Sequence, residues 1–240
     1  MNRAVLYAAG LLAAFPSAGH AAPRMAGFDR IAETTDRVDI KGVGWGQRGR
    51  FTLSGIDAAG QFDRTADENS VDGYKRQRGH VRFSMAGAGL SGALTGSCGY
   101  GQDSLSETAP VSRSIETTTT VTVRPFNLVC DFTRDGQPAG VLTLRMVPGR
   151  TVDIRTLRAG TLRYGGEVLA LRSVHTFEGS KMPTAMPLGY MMTRANAEIA
   201  AAYFNGGTRT LALPKAGPAR EAALMAGVAL TLMWDPGDGD

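Results

Sequence analysis

Val141-Leu142-Thr143-Leu144-Arg145-Met146-Val147 is the stretch that decides the fold class. Successive side chains of an extended strand point to opposite faces, so Leu142, Leu144 and Met146 share one side while Thr143 and Arg145 share the other. The same period of two recurs in Phe51-Thr52-Leu53-Ser54-Gly55, Val81-Arg82-Phe83-Ser84-Met85, Thr120-Val121-Thr122-Val123-Arg124 and Thr161-Leu162-Arg163-Tyr164. Each run is short and closes on glycine, proline or Asp-Gly, as half-buried strands do. The chain is therefore expected to be mainly β, an antiparallel barrel or sandwich. Phe132-Thr133-Arg134-Asp135-Gly136 and Met192-Thr193-Arg194-Ala195-Asn196 each lead into an apolar run. Both read as hairpins whose tips need residues that tolerate positive φ.

The C-terminal segment breaks the pattern. Gly217-Pro218 places proline in a first helical turn, Glu221 adds negative charge there, and Ala222 to Trp234 contain no charged residue. Such a segment reads as a helix from Ala219 to Trp234, apolar all round, which must be packed in or against the sheet. A shorter helix followed by a strand over Val228 to Trp234 is the competing reading. The segments Pro187-Leu188-Gly189-Tyr190, Ala202-Tyr203-Phe204-Asn205-Gly206 and Pro218 to Trp234 together resemble the tubby C-terminal and phospholipid-scramblase type of barrel. That resemblance implies strands wrapped around a hydrophobic C-terminal helix, and carries no activity with it.

The first 21 residues set the expected compartment. Arg3 is followed by an apolar run from Ala4 to Phe15, a break at Pro16, and small residues before a cut after Ala21. This is the pattern of a secretory signal peptide, and its apolar run is too short for a spanning helix. The expected organisation is a signal peptide over 1–21 and a single β-rich domain over 22–240, periplasmic or secreted, with no transmembrane span in the mature chain. Export suits the cysteine count, because Cys98 and Cys130 are the only two and should close a disulfide in an oxidising compartment. Arginine outnumbers lysine heavily, a bias that GC-rich bacterial genomes produce.

The 240 residues are 43% hydrophobic and 20% charged, ordinary for a globular domain. A net charge of +4 with interspersed signs gives no argument for nucleic acid. Asp63 to Arg78 and Gly99 to Glu116 lack hydrophobic alternation and read as long polar loops. Lys75, Arg76, Arg78 and Arg82, running from the end of the first stretch into the next alternating run, are the densest basic feature. On a strand Arg76, Arg78, His80 and Arg82 fall on one face, where they offer donors to lipid headgroups or other anions.

Catalytic signals are sparse. Gly87-Ala88-Gly89-Leu90-Ser91-Gly92 has the spacing of a dinucleotide-binding loop, but Ala93-Leu94-Thr95-Gly96 continues as strand where a helix N-terminus is required. Ser173 and His175 share a strand face, and with an acid from elsewhere would suit a hydrolase. The tail Asp235 to Asp240 begins like a calcium loop and ends before its ligands are complete. No cofactor and no metal site is expected. The expected role is non-enzymatic binding of an envelope protein or of an apolar or anionic ligand, with a Ser173/His175 hydrolase or a structural assembly subunit as alternatives.

Overall fold

The computed structural model describes residues 24–112, 115–147, 155–204 and 209–234. The expected signal peptide, its cleavage site and the acidic tail lie outside these residues. After a short helix α1 (Phe28–Ala32) come twelve strands, β1 (Asp36–Lys41), β2 (Arg48–Ser54), β3 (Ala58–Val71), β4 (Tyr74–Ala86), β5 (Leu94–Ser112) and β6 (Ile115–Arg134) in the first half. The second half contains β7 (Gln137–Met146), β8 (Arg158–Tyr164), β9 (Glu167–Val174), β10 (Gly189–Arg194), β11 (Ala197–Tyr203) and β12 (Arg209–Leu213), followed by helix α2 (Pro218–Leu232). Every strand pairs antiparallel with its chain neighbours, and β1 closes on β12, for example Val38 opposite Leu211. The result is a closed up-and-down barrel.

All five alternating runs fall on strands; in four of them the apolar face points inward, whereas Val121 and Val123 of the fifth are exposed. Phe51, Leu53, Val81, Phe83, Leu142, Leu144 and Leu162 are buried. Outward positions carry exposed polar side chains such as Arg50, Arg82, Asp131, Arg145, Arg163 and Arg172. Both expected hairpin tips turn through positive φ, at Asp135 and Gly136 and again at Ala195 and Asn196. Inward glycines make room for neighbouring rings: a Cβ on Gly96 would lie 2.3 Å from the Phe83 ring.

Twelve strands leave a lumen wider than side chains alone can fill, and a helix of about 10 Å diameter fits it. The C-terminal segment is one continuous helix, and twelve of the 15 residues of α2 are buried. Its small residues allow close approach; Gly227 would clash with Leu211 if it bore a Cβ. Polar contacts at the two ends set its direction. At the N-terminus Glu221 accepts hydrogen bonds from Arg134 Nε (2.9 Å), Tyr164 Oη (2.7 Å) and Ser91 Oγ. At the C-terminus the buried Arg64 donates to the carbonyl of Leu232 (3.1 Å), where the helix dipole is negative. A second apolar cluster lies outside the barrel, where Met25, Phe28 and Ile31 cover Met191, Ala201, Tyr203 and Ala212. This covering layer explains why β10 is apolar on both faces.

Two expectations are corrected. Asp63 to Arg78 and the described residues of Gly99 to Glu116 are not loops: they belong to the β3–β4 hairpin and the β5–β6 ribbon. Register places Thr65 opposite His80 and Thr108 opposite Thr118, with hydroxyl to hydroxyl contact at 2.9 Å in the second pair. Strands that project beyond a barrel are wet on both faces, so they need no apolar period. Cys98 and Cys130 are directly opposed on β5 and β6 and disulfide-bonded, at the root of this ribbon.

Candidate functional site

β2 ends its pairing at Asp63 and β7 ends at Asn127, while β3, β4, β5 and β6 run on. The four strands therefore form an arm at one end of the barrel. The same end holds the C-terminus of α2, and beside it opens a cavity of about 470 Å³. Its walls are mostly apolar: Met186, Pro187, Leu188, Tyr190, Phe204, Leu230 and Met233, with Trp45 at the rim. Arg209, Thr184 and Thr231 supply polarity. They come from the β1–β2 and β9–β10 connections, from β12 and from α2, segments distant in sequence that closure of the barrel brings together.

The mouth is rich in arginine. Arg64 is fully buried, donates to the carbonyls of Gly44, Gly46 and Leu232, and lies 4.4 Å from the centre of the Trp234 ring. Burial, with the neighbouring Arg209 cation acting in the same direction, pulls its pKa down to about 10. Arg158 is also buried, stacked 3.9 Å from the Phe126 ring centre and donating to Tyr190 Oη at 3.3 Å. Arg209 donates to the Val43 carbonyl at 2.6 Å. Thr231 is 4% exposed, and its hydroxyl has no hydrogen-bond partner among the described residues. A threonine in a helix ordinarily returns its hydroxyl to a carbonyl one turn back; this one lines the cavity instead. Sequence reading missed this site because Thr231 sits inside an apolar run and Arg64 inside a charged one.

The basic residues singled out from the sequence are divided. Arg76, Arg78 and Arg82 face outward on β4, whereas Lys75 faces the other way and pairs with Glu68 at 3.1 Å. Arg78 is engaged by the buried Asp103, whose carboxyl the Arg78 hydrogen bond holds below its usual range against the effect of burial. Arg82 lies opposite Asp63, itself bonded to Arg48 at 2.7 Å. Of the three outward arginines Arg78 is ion-paired, Arg82 faces a carboxylate that Arg48 holds, and Arg76 stands toward the end of the strip.

Ser173 and His175 do meet, at 2.9 Å between Oγ and Nε2. Nδ1 faces the Thr184 carbonyl at 3.0 Å, so Nδ1 carries the proton and Nε2 accepts from the serine hydroxyl. Burial lowers the His175 pKa, with Arg155 and Arg158 adding to the effect. The serine oxygen also accepts the Arg158 backbone N–H at 2.8 Å, and His175 is 4% exposed. The pair latches the β9–β10 connection, which supplies Thr184 and Met186 to the cavity. Gly87 to Gly92 form the turn between β4 and β5, with a strand after it. Among the described residues no cluster of three metal-ligating side chains occurs. Comparisons with family models, curated proteins and solved structures return no match.

Proposed function

We propose that the protein is an exported binding barrel whose mouth cavity takes an amphiphile, an apolar chain bearing an anionic head. One observation carries this reading: the Thr231 hydroxyl, buried and without a partner among the described residues, lines the mostly apolar cavity that Arg209 also lines. Barrel mouths with apolar walls and a few convergent polar groups are common ligand sites. Export is supported by the leader-like residues 1–21 and by the Cys98–Cys130 disulfide. A barrel closed around an apolar C-terminal helix is the arrangement the tubby-like resemblance implies, and in this reading the kinship is one of architecture.

Both tryptophans, Trp45 and Trp234, lie at this mouth, so intrinsic fluorescence reports on occupancy. Titration with the polyene fatty acid cis-parinaric acid should give saturable energy transfer from tryptophan. Arg209→Gln should weaken the acid about tenfold and leave its methyl ester unchanged. Equal affinity of acid and ester for the wild-type protein would remove the anionic head from the proposal, and no saturable binding would remove the site.

The contact between Ser173 and His175 favours a second reading, a hydrolase acting on an ester held in the same cavity. Turnover of p-nitrophenyl esters that disappears in His175→Ala would establish it in place of pure binding.

A further inference from the structure

The outer face of the arm carries an exposed apolar row. Register sets Val71 opposite Tyr74, Tyr74 opposite Leu105 and Leu105 opposite Val121, so these four side chains share one face across β3, β4, β5 and β6. Val71 is 66% exposed, Leu105 45% and Val121 58%. Directly opposed side chains stand about 5 Å apart, which makes the row continuous. Its flanks differ in charge. On the barrel side Arg76, Arg78 and Arg124 outweigh Asp67 and Asp103; among the described residues Arg76 has no ion-pair partner and Arg124 touches Asp103 at 3.6 Å. On the tip side Glu107 is exposed and also without a partner among the described residues.

We propose that this face packs against the same face of a second copy of the chain, the two arms antiparallel and face to face. A twofold axis through the apolar row places the barrel side of one arm over the tip side of the other. Arg76 of each copy then meets Glu107 of the other, and the two rows cover each other. The surface is complementary to itself in this way: apolar in the middle, cationic on one side, anionic on the other. A uniformly anionic partner, such as a lipid surface, would satisfy Arg76 but oppose Glu107. Four strands about 4.8 Å apart, taken over five residues, give a face of roughly 300 Å². A standard interface buries roughly 800 Å² per partner, so the dimer is weak and forms at high concentration.

Sedimentation of the processed protein between about 1 and 200 μM tests this, since weak interfaces populate that range. A concentration-dependent dimer is expected, weakened about tenfold or more by Val121→Asp at unchanged melting temperature. Glu107→Arg and Arg76→Glu should each weaken it, and the double variant should restore it. A monomer throughout the range overturns the proposal. So does a dimer indifferent to Val121→Asp, which would place self-association elsewhere, for instance on the unpaired edge of β6. Charge swaps that weaken singly but do not rescue together overturn the antiparallel arrangement.

Discussion

Helix α2 and the four-strand arm are opposite solutions to one problem, how a segment without amphipathic patterning is held. The helix is apolar on all sides and sits in the lumen. Each large apolar side chain buried there contributes about 1.5 to 3 kcal/mol, and twelve strands are needed to surround it. The arm is wet on both faces, so cross-strand hydrogen bonds, hydroxyl pairs and one disulfide at its root hold it. Perturbing the helix should therefore propagate through the whole barrel, and perturbing the arm should remain local.

The sharpest way to break that contrast is Val228→Asp, which places an unpaired charge at a fully buried position of α2. The cost should exceed what a domain with about 5 to 15 kcal/mol of stability can absorb, and circular dichroism should show an unfolded or aggregated chain. Arg64→Met comes next. It leaves the carbonyls of Gly44, Gly46 and Leu232 without their donor, which should cost about 2 to 4 kcal/mol and lower the urea midpoint. Cys98→Ser together with Cys130→Ser loosens the boundary between barrel and arm. A bridge spanning 32 residues contributes about 4 kcal/mol in the chain-entropy picture, and a matching fall in melting temperature is expected.

Glu221→Gln weakens the other anchor of the helix. Burial opposes ionisation of Glu221, but hydrogen bonds from Ser91, Tyr164 and Arg134 outweigh it and hold the carboxyl below its ordinary value of 4.5. A depressed carboxyl contributes stability above pH 4.5 and loses it as pH falls through the folded value. The variant should therefore be less stable by about 1 to 2 kcal/mol at pH 7, and the difference should shrink in melts taken below pH 4.5. Smallest is Val121→Asp on the arm, which should change unfolding free energy by less than about 0.5 kcal/mol. A large loss there would mean that the arm is part of the cooperative core.

The cavity and the dimer face both belong to the arm end, yet they were unequally legible. The pattern of Lys75 to Arg82 placed Arg76, Arg78, His80 and Arg82 on one strand face, and on β4 they do share the outward face. No local signal could disclose that Asp103 and Asp63 stand beside them, because the partners come from other strands. Ser173 at the end of β9 and His175 just beyond it were readable as sharing one face; that the Thr184 carbonyl would set the imidazole tautomer was not. Thr231 is the extreme case, a single hydroxyl in an apolar run whose meaning depends on the cavity beside it.

Local sequence signals by themselves pointed to a mainly antiparallel β protein with tips at Asp-Gly and Ala-Asn and to an apolar C-terminal helix over a competing helix-then-strand reading, while the cysteine count with the expected export pointed to the Cys98–Cys130 pair. These follow from period, turn chemistry and the cost of leaving apolar side chains in water, all readable within a few residues. Tertiary structure alone decided the number of strands, the closure of β1 on β12, the conversion of two polar stretches into a projecting arm, and the gathering of Arg64, Arg209 and Thr231 around the end of α2. Closure and register are set by contacts between residues far apart in the chain, and solvated strands carry no hydrophobic period to betray them.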